Sequence, residues 1–137
     1  MRYLGLDLGT KTLGLAISDK MGILSSPFKV LRYNDVNELI DELIEIIKEE
    51  EVDELVLGLP KNMNNSLGFA SERSLNFKEL LESKINIKIH LVDERLSTVE
   101  AEKYLISTDT KRNKRKKVID AYAASIILDT YLKSRKD

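Results

Sequence analysis

The sequence predicts an α/β fold in which helices cover an open sheet. Three short apolar segments open the chain, and helical and strand-like patterns alternate after them. The predicted order is three strands, a helix, a strand, a helix, a strand and two helices. Such alternation is typical of α/β architectures. The length is that of one ordinary domain, so we expect residues 1–137 to form a single unit.

The N-terminal segments predict a strand pair and an edge strand. Tyr3–Leu8 and Thr12–Ser18 are short and apolar. The Gly9-Thr10-Lys11 turn signal between them indicates a tight hairpin in which Gly9 has a positive φ. Residues 24–31 predict a third strand, and the proline at position 27 suits an edge better than the centre of a sheet.

The middle of the chain predicts a helix, a buried strand and a loop. Asp35 and Glu38 match a capping box ahead of apolar residues at helical spacing, which predicts a helix to about residue 50. Residues 54–59 are a brief apolar run that indicates a buried strand. The polar, Asn-rich residues 61–68 predict a loop at its C-terminal end.

The second half predicts three helices and one strand. A helix should cover residues 69–82, and alternating apolar positions predict a strand over residues 85–91 that leads to an Asp-Glu-Arg sequence. Ser97 begins a second capping box, which predicts a helix to about residue 106. Residues 118–133 predict the last, amphipathic helix.

Charge is concentrated in one place, which we call the basic segment (residues 111–117). The net charge of the chain is only −1, and the residues outside this segment sum to −7. Such a segment can bind a phosphate backbone locally, although a solvated loop is the alternative. Its six cations are Lys111, Arg112, Lys114, Arg115, Lys116 and Lys117.

Several classes of protein are excluded by composition. Without cysteine there is no disulfide framework, thiolate zinc site or cysteine nucleophile. The N-terminus does not resemble a signal peptide, and no apolar run approaches the about 20 residues that span a bilayer. We expect a soluble, cytoplasmic protein with no membrane partner. The lone His90 has no second histidine for a metal site, and we interpret it as structural.

Asp7 and Asp120 are acids among apolar neighbours. Asp7 lies inside a predicted strand, where an ionised carboxylate needs a partner or a metal ion, although it could instead cap the hairpin loop. Asp120 shares a helix face with Ala123, Ala124 and Ile127, so solvent is not its natural partner. The alternative for Asp120 is a first-turn acid favoured by the helix dipole.

Asp93 and Glu94 follow a strand, where open α/β sheets form their ligand crevices. Alternation sends the two side chains to opposite faces, so at most one enters a given site. Either acid could instead cap the helix near Ser97 or pair with Arg95. If the fold brings three acids together, their oxygens suit Mg²⁺ or Mn²⁺, and two such ions about 4 Å apart support in-line displacement at phosphorus.

Four stretches, in order and spacing, resemble the YqgF/RuvX family over essentially the whole chain. They are GLDLGTKTLGLAISD (5–19), GLPKNMNNSLG (58–68), VDERLST (92–98) and KKVIDAYAASIIL (116–128). The resemblance implies a ribonuclease H-like fold with a five-stranded mixed sheet. It also implies a nuclease, usually described as maturing the 5′ end of precursor 16S ribosomal RNA and earlier as resolving Holliday junctions.

Residue by residue, the resemblance implies Asp7, Glu94 and Asp120 as catalytic and metal-binding acids, with Mg²⁺ or Mn²⁺ as cofactor. The family's usual Asp-Gly pair is replaced by Asn64-Asn65, which excludes an acid there. Further candidates contact substrate phosphates: Lys11, Arg95, Lys111, Arg112, Lys114, Arg115, Lys116 and Lys117.

The expected partner is nucleic acid, with precursor ribosomal RNA favoured over branched DNA, and ribosomal particles are a further expected partner. We expect a monomer or a weak homodimer. Three alternatives stay open at this point. They are a Holliday junction resolvase, a non-catalytic nucleic-acid-binding module, and a nucleotide-binding protein of the actin and sugar-kinase type, whose first phosphate loop residues 5–19 also resemble.

Overall fold

The computed structural model of the chain describes residues 1–60, 69–93 and 112–135. Within these ranges, five strands form one sheet and three helices pack on it. The elements are β1 (Tyr3–Leu8), β2 (Thr12–Ser18), β3 (Ser25–Arg32), α1 (Val36–Glu49), β4 (Glu54–Leu59), α2 (Phe69–Lys84), β5 (Lys88–Asp93) and α3 (Arg112–Ser134). The predicted helix over residues 97–106 and the loop over residues 61–68 lie outside the described residues.

The sheet is mixed, with strand order β3-β2-β1-β4-β5. Strands β1, β2 and β3 are antiparallel neighbours, whereas β1, β4 and β5 run parallel. The C-terminal ends of these three parallel strands therefore meet at one edge of the sheet, where open α/β sheets place their ligands. The predicted α/β class with a five-stranded mixed sheet is confirmed.

Both faces of the sheet are covered by helices. Even-numbered residues of β1, such as Leu4 and Leu6, join the core beneath α1 and α2. The odd-numbered Tyr3 belongs to the second core, which α3 forms on the opposite face. Both helices contribute buried apolar residues to the first core. They are Leu39, Ile40, Leu43, Ile46 and Ile47 of α1 and Phe77 and Leu81 of α2. No helix in the described ranges is long and apolar enough to cross a membrane.

The local signals at β3 and α1 are confirmed. β3 lies at the sheet edge, and the register shift in its pairing with β2 occurs beside Pro27, which cannot donate to the ladder. Asp35 caps α1, and its carboxylate accepts a hydrogen bond of 2.9 Å from the backbone amide of Asn37.

Three local predictions are wrong. Gly9 does not have a positive φ; among the described residues Gly22 and Glu51 do, at 69° and 54°. The Gly9 amide closes the hairpin on the Thr12 carbonyl at 2.8 Å without needing glycine's conformational freedom. β5 starts at Lys88 because Lys88 is paired with Glu54, the first residue of β4, so residues 85–87 have no strand beside them.

The start of the last helix is the third correction. α3 begins at Arg112, six residues before the predicted start at Val118, so most of the basic segment is helical. Lysine and arginine are good helix formers, and charge alone does not interrupt a helix.

Candidate active site

Asp7 lies in the central part of the sheet and projects toward α3. Strand β1 is hydrogen-bonded to β2 on one side and to β4 on the other, which fixes its backbone. Asp7 is half-buried, and its alternation with Leu6 and Leu8 places it on the face of the second core. Its cross-strand partner is Gly14 of β2. This acid is therefore held by rigid elements rather than by a loop.

Asp120 lies two turns inside α3, whose first turn carries no acid. The first-turn alternative is thereby excluded. Ala124 and Ile127 on the same helix face are fully buried or nearly so, as predicted. The hydroxyl of Thr12 donates a hydrogen bond of 2.7 Å to Oδ2 of the Asp120 carboxylate. This contact joins the helix to β2 and orients the acid.

Gly14 is where Asp7 and Asp120 come together. A Cβ atom on Gly14 would lie 2.2 Å from the backbone oxygen of Asp120 and 3.0 Å from its Cβ. Gly14 is also directly opposite Asp7 in the β1–β2 ladder. The absence of a side chain at position 14 thus lets Asp120 approach the strand pair beside Asp7, as a glycine inside a strand often indicates.

The face on which Asp93, the last residue of β5, lies follows from its neighbours in the strand. Val92 packs into the second core, on the face of Asp7, whereas Ile89 belongs to the first core. Alternation therefore places Asp93 on the face opposite that of Asp7 and Asp120. Glu94 lies outside the described residues.

The structure describes only part of the predicted phosphate-binding set. Lys11 is exposed in the β1–β2 turn, at the edge where β1 ends. Arg95 and Lys111 lie outside the described residues. The remaining predicted contacts lie in the first turns of α3, namely Arg112, Lys114, Arg115, Lys116 and Lys117.

The chemistry of this site is that of oxygen donors. Among the described residues, no group of three or more His, Cys, Asp or Glu side chains forms a metal-binding cluster. The described part of the site therefore supplies two carboxylates, those of Asp7 and Asp120. Two carboxylates on one face of a sheet suit a hard divalent cation. Sequence reasoning missed Thr12 and Gly14; the signal available for Gly14 was a glycine inside an apolar strand.

Two solved structures with a similar fold are junction resolvases. The fold is similar to that of Thermus thermophilus RuvC in complex with a Holliday junction, with a TM-score of 0.62, 14% identity and coverage of 98% of this chain and 95% of that one. It is also similar to the Fowlpox virus resolvase in complex with Holliday junction DNA, with a TM-score of 0.63, 14% identity and complete coverage of both chains. The chain thus has the ribonuclease H-like fold of RuvC-like nucleases, as predicted.

Sequence relatives define the family. A family model described as "RuvX: Holliday junction resolvase" matches residues 1–134. A Staphylococcus haemolyticus protein named "Putative pre-16S rRNA nuclease" is 54% identical over 136 residues, covering 97% of this chain and 96% of that protein. A Staphylococcus aureus protein of the same name is 53% identical with the same coverage.

This chain belongs to the RuvX family, which confirms the resemblance drawn from its motifs. It is a nuclease, a hydrolase of phosphodiester bonds, and nucleic acid is its partner.

Proposed function

We propose that this chain, acting as one domain in the cytoplasm, cleaves a phosphodiester bond of precursor 16S ribosomal RNA. Asp7, Glu94 and Asp120 would bind the divalent metal ions. The observation that carries the proposal is the approach of Asp7 and Asp120 around Gly14. The substrate is proposed from the name of the staphylococcal relatives, which match nearly the whole chain.

The described residues fit a metal site of this kind. Both carboxylates are half-buried, lie on one face and offer the oxygen ligands that Mg²⁺ and Mn²⁺ prefer. Alternation in β5 supports Glu94 as the third ligand, because Asp93 is on the opposite face. When bound, such ions activate a water molecule and stabilise the leaving oxygen at phosphorus.

The chain's own residues supply positioning. Thr12 donates to one oxygen of Asp120, so that carboxylate is oriented before any ligand arrives. Asp7 is oriented by a strand paired on both sides. Preorganised groups of this kind need little rearrangement on binding, which favours catalysis. Arg95 and the basic segment would hold the phosphates that flank the cleaved bond.

The test is cleavage of precursor 16S ribosomal RNA, bound in precursor ribosomal particles and free, with Mg²⁺, with Mn²⁺ and with a chelator. We expect metal-dependent cleavage by the natural chain. The variants Asp7→Asn, Glu94→Gln and Asp120→Asn should each lose most of this activity. Cleavage that persists with chelator, or in Asp7→Asn, would contradict the assignment.

Asp93→Asn is the matched control for Glu94→Gln. The two acids are neighbours in sequence, yet Asp93 is on the other face of β5, so Asp93→Asn should keep metal-dependent cleavage. Circular dichroism of each variant establishes that it is folded. If Asp93→Asn is inactive and Glu94→Gln active, the metal ligand is Asp93 and the alternation argument fails at the strand end.

Junction resolution is the second candidate, because the family model that matches the chain is described as a Holliday junction resolvase. A labelled four-way DNA junction in the same assay separates the two functions. Paired, symmetric nicks confined to the junction would favour resolution. A two-fold symmetric junction calls for two active sites, so that result should coincide with a stable dimer in solution. For RNA cleavage we propose a monomer or a weak homodimer.

A further inference from the structure

A cationic groove lies beside the acids, on the β3 side of the sheet. It has a volume of about 280 Å³ and is lined by Lys11, Arg32, Tyr33, Asn34 and Glu38. We call it the Tyr33 groove. It is formed where the end of β3 and the start of α1 meet the β1–β2 turn.

Tyr33 fixes the shape of this groove. Its backbone amide donates to the Lys11 carbonyl at 3.0 Å, and its hydroxyl donates to the Gly9 carbonyl. Both contacts tie the chain after β3 to the turn that follows Asp7. Burial raises the pKa of the Tyr33 hydroxyl above its ordinary value of 10.0.

The charges around Tyr33 are unbalanced. Lys11 and Arg32 line the groove and are exposed. Neither forms an ion pair with a residue in ranges 1–60, 69–93 and 112–135. Glu38 is the acid among the groove residues. Two exposed cations beside an aromatic side chain suit a nucleic-acid backbone.

The groove is next to the acids. Arg32 is directly opposite Thr12 in the β2–β3 ladder, and Thr12 is the residue that holds Asp120. Directly opposed residues of an antiparallel pair project to the same face. A strand whose phosphate lies at Asp7 and Asp120 can therefore continue past Arg32 into the groove.

We infer that the Tyr33 groove binds the phosphodiester backbone of the substrate strand next to the cleaved bond, through Lys11 and Arg32. The inference rests on the proposed nuclease function, since it extends the path of the same substrate. Contacts to phosphate carry no sequence information, so this groove positions the strand rather than selecting its bases.

The test measures binding of a fluorescent single-stranded RNA, taken from the precursor 5′ region, in chelator so that it stays intact. The double variant Lys11→Gln/Arg32→Gln should raise the Kd roughly tenfold or more, because it removes charge-assisted bonds to phosphate. Its slope of log Kd against log salt should fall by about 0.7 for each phosphate that is no longer neutralised. A DNA strand of the same sequence should show the same two changes, because the phosphates are shared.

Two comparisons make the binding result specific. Lys88→Gln removes an exposed cation at the first residue of β5. Because β5 and β3 are the two outermost strands of the sheet, this variant should change neither the Kd nor the slope. Arg32→Lys, with Lys11 unchanged, keeps both positive charges of the groove and should keep most of the affinity of the natural chain. Thermal unfolding of each variant shows that it is folded.

The outcomes separate this inference from the proposed function. Weaker binding by the double variant supports the groove, whether or not precursor RNA is cleaved in metal. If the natural chain cleaves the RNA and the double variant binds and cleaves equally well, the groove is overturned and the nuclease stands. Absence of binding by the natural chain would also overturn the groove.

Discussion

Gly14 sets how closely α3 can approach β2, and therefore whether Asp120 reaches the strand pair beside Asp7. The atoms that a Cβ would meet there belong to the Asp120 backbone, at 2.2 and 2.4 Å, and backbone cannot move aside as a side-chain tip can. The same helix passes over Gly5, where a Cβ would lie 2.9 Å from the Ala124 carbonyl. Two small residues in adjacent strands thus form the surface on which the helix rests.

Gly14→Ala should displace the helix and disrupt the site. Overpacking at a site of this kind costs about 1–3 kcal/mol, so we expect a lower free energy of unfolding together with loss of cleavage. Chemical denaturation with a parallel cleavage assay checks both. Gly9→Ala is the control, because the nearest atom there is the Thr12 hydroxyl at 3.3 Å and φ is not positive; its stability should change by less than about 1 kcal/mol. Equal stability of Gly14→Ala and the natural chain would show that the helix can yield.

Thr12 acts on the site through Asp120 and is a positioning residue. Thr12→Val keeps the shape of the side chain but removes the hydroxyl that donates to Oδ2 of Asp120 at 2.7 Å. Loss of such supporting hydrogen bonds at metal sites typically costs about 10–100-fold in metal affinity or activity. We expect a higher metal concentration for half-maximal cleavage, with stability nearly unchanged.

Thr12→Ser tests this role directly, because serine restores the hydroxyl without the methyl group. Its metal dependence should return close to that of the natural chain. If valine and serine behave alike, the hydroxyl contact does not position the acid.

At the scale of elements, the connection between β2 and β3 is organised by Asp19. Its Oδ1 accepts hydrogen bonds from the backbone amides of Ile23 at 2.7 Å and Leu24 at 3.0 Å. The amides of Leu24 and Ile23 are the main reason that the pKa of the Asp19 carboxyl is lowered from 3.8. Because the folded pKa is lowered, the stabilisation by Asp19 is fully present above the unfolded value and is lost as pH falls through the folded pKa.

The stability cost of Asp19→Ala should therefore depend on pH. We expect Asp19→Ala to unfold at a lower temperature than the natural chain at neutral pH, and this difference should shrink well below pH 3.8. Thermal unfolding across that range measures it. Asp19→Asn keeps an accepting oxygen without the charge, so its difference from Asp19→Ala should stay nearly constant with pH. A constant difference between Asp19→Ala and the natural chain would contradict the linkage.

Apolar periodicity and capping residues correctly predicted those elements whose position and bounds do not depend on long-range strand pairing. The edge position of β3 followed from Pro27, and the start of α1 followed from Asp35. The start of β5 depends on where β4 begins, which is a long-range pairing that the local alternation of residues 85–91 does not contain. The early start of α3 was missed because a run of cations was interpreted as a break in the helix.

The candidate site was predictable only in part. A buried face for Asp120 followed from helical spacing, and the fold confirms that face. Its bond to Thr12 joins residues 108 positions apart, and no local pattern signals such a contact. The roles of Asp7, Glu94 and Asp120 in catalysis stay predictions until the variants are assayed.

At the scale of the whole molecule, the two edges of the sheet carry different chemistry. At the N-terminal edge, His90 is 2.7 Å from Glu54 and stacks on Tyr131 with ring centroids 4.4 Å apart. Arg135 lies over the Tyr3 ring next to them, at 4.8 Å. These partners support the structural interpretation of His90. These non-covalent contacts lie near the N-terminal ends of the parallel strands, whereas the acids and the Tyr33 groove lie near the C-terminal end of β1.

Charge distribution is the other whole-molecule property, because the body of the chain is acidic and repels a polyanion. We predict that the basic segment is what lets this chain approach RNA. Glutamine keeps helix propensity without charge. The variant that removes five cations from α3 makes the net charge −6 and consists of Arg112→Gln, Lys114→Gln, Arg115→Gln, Lys116→Gln and Lys117→Gln.

This variant should bind single-stranded RNA more weakly, and its salt slope should fall by about 0.7 for each phosphate that it no longer neutralises. A second variant with the same net charge removes five exposed lysines elsewhere, namely Lys20→Gln, Lys48→Gln, Lys84→Gln, Lys88→Gln and Lys133→Gln. Its surface ion pairs contribute about 0–1 kcal/mol each, so it should stay folded and keep most of its affinity. If both variants weaken binding equally, net charge decides and the position of the cations does not. If neither does, the basic segment is only a solvated part of the helix.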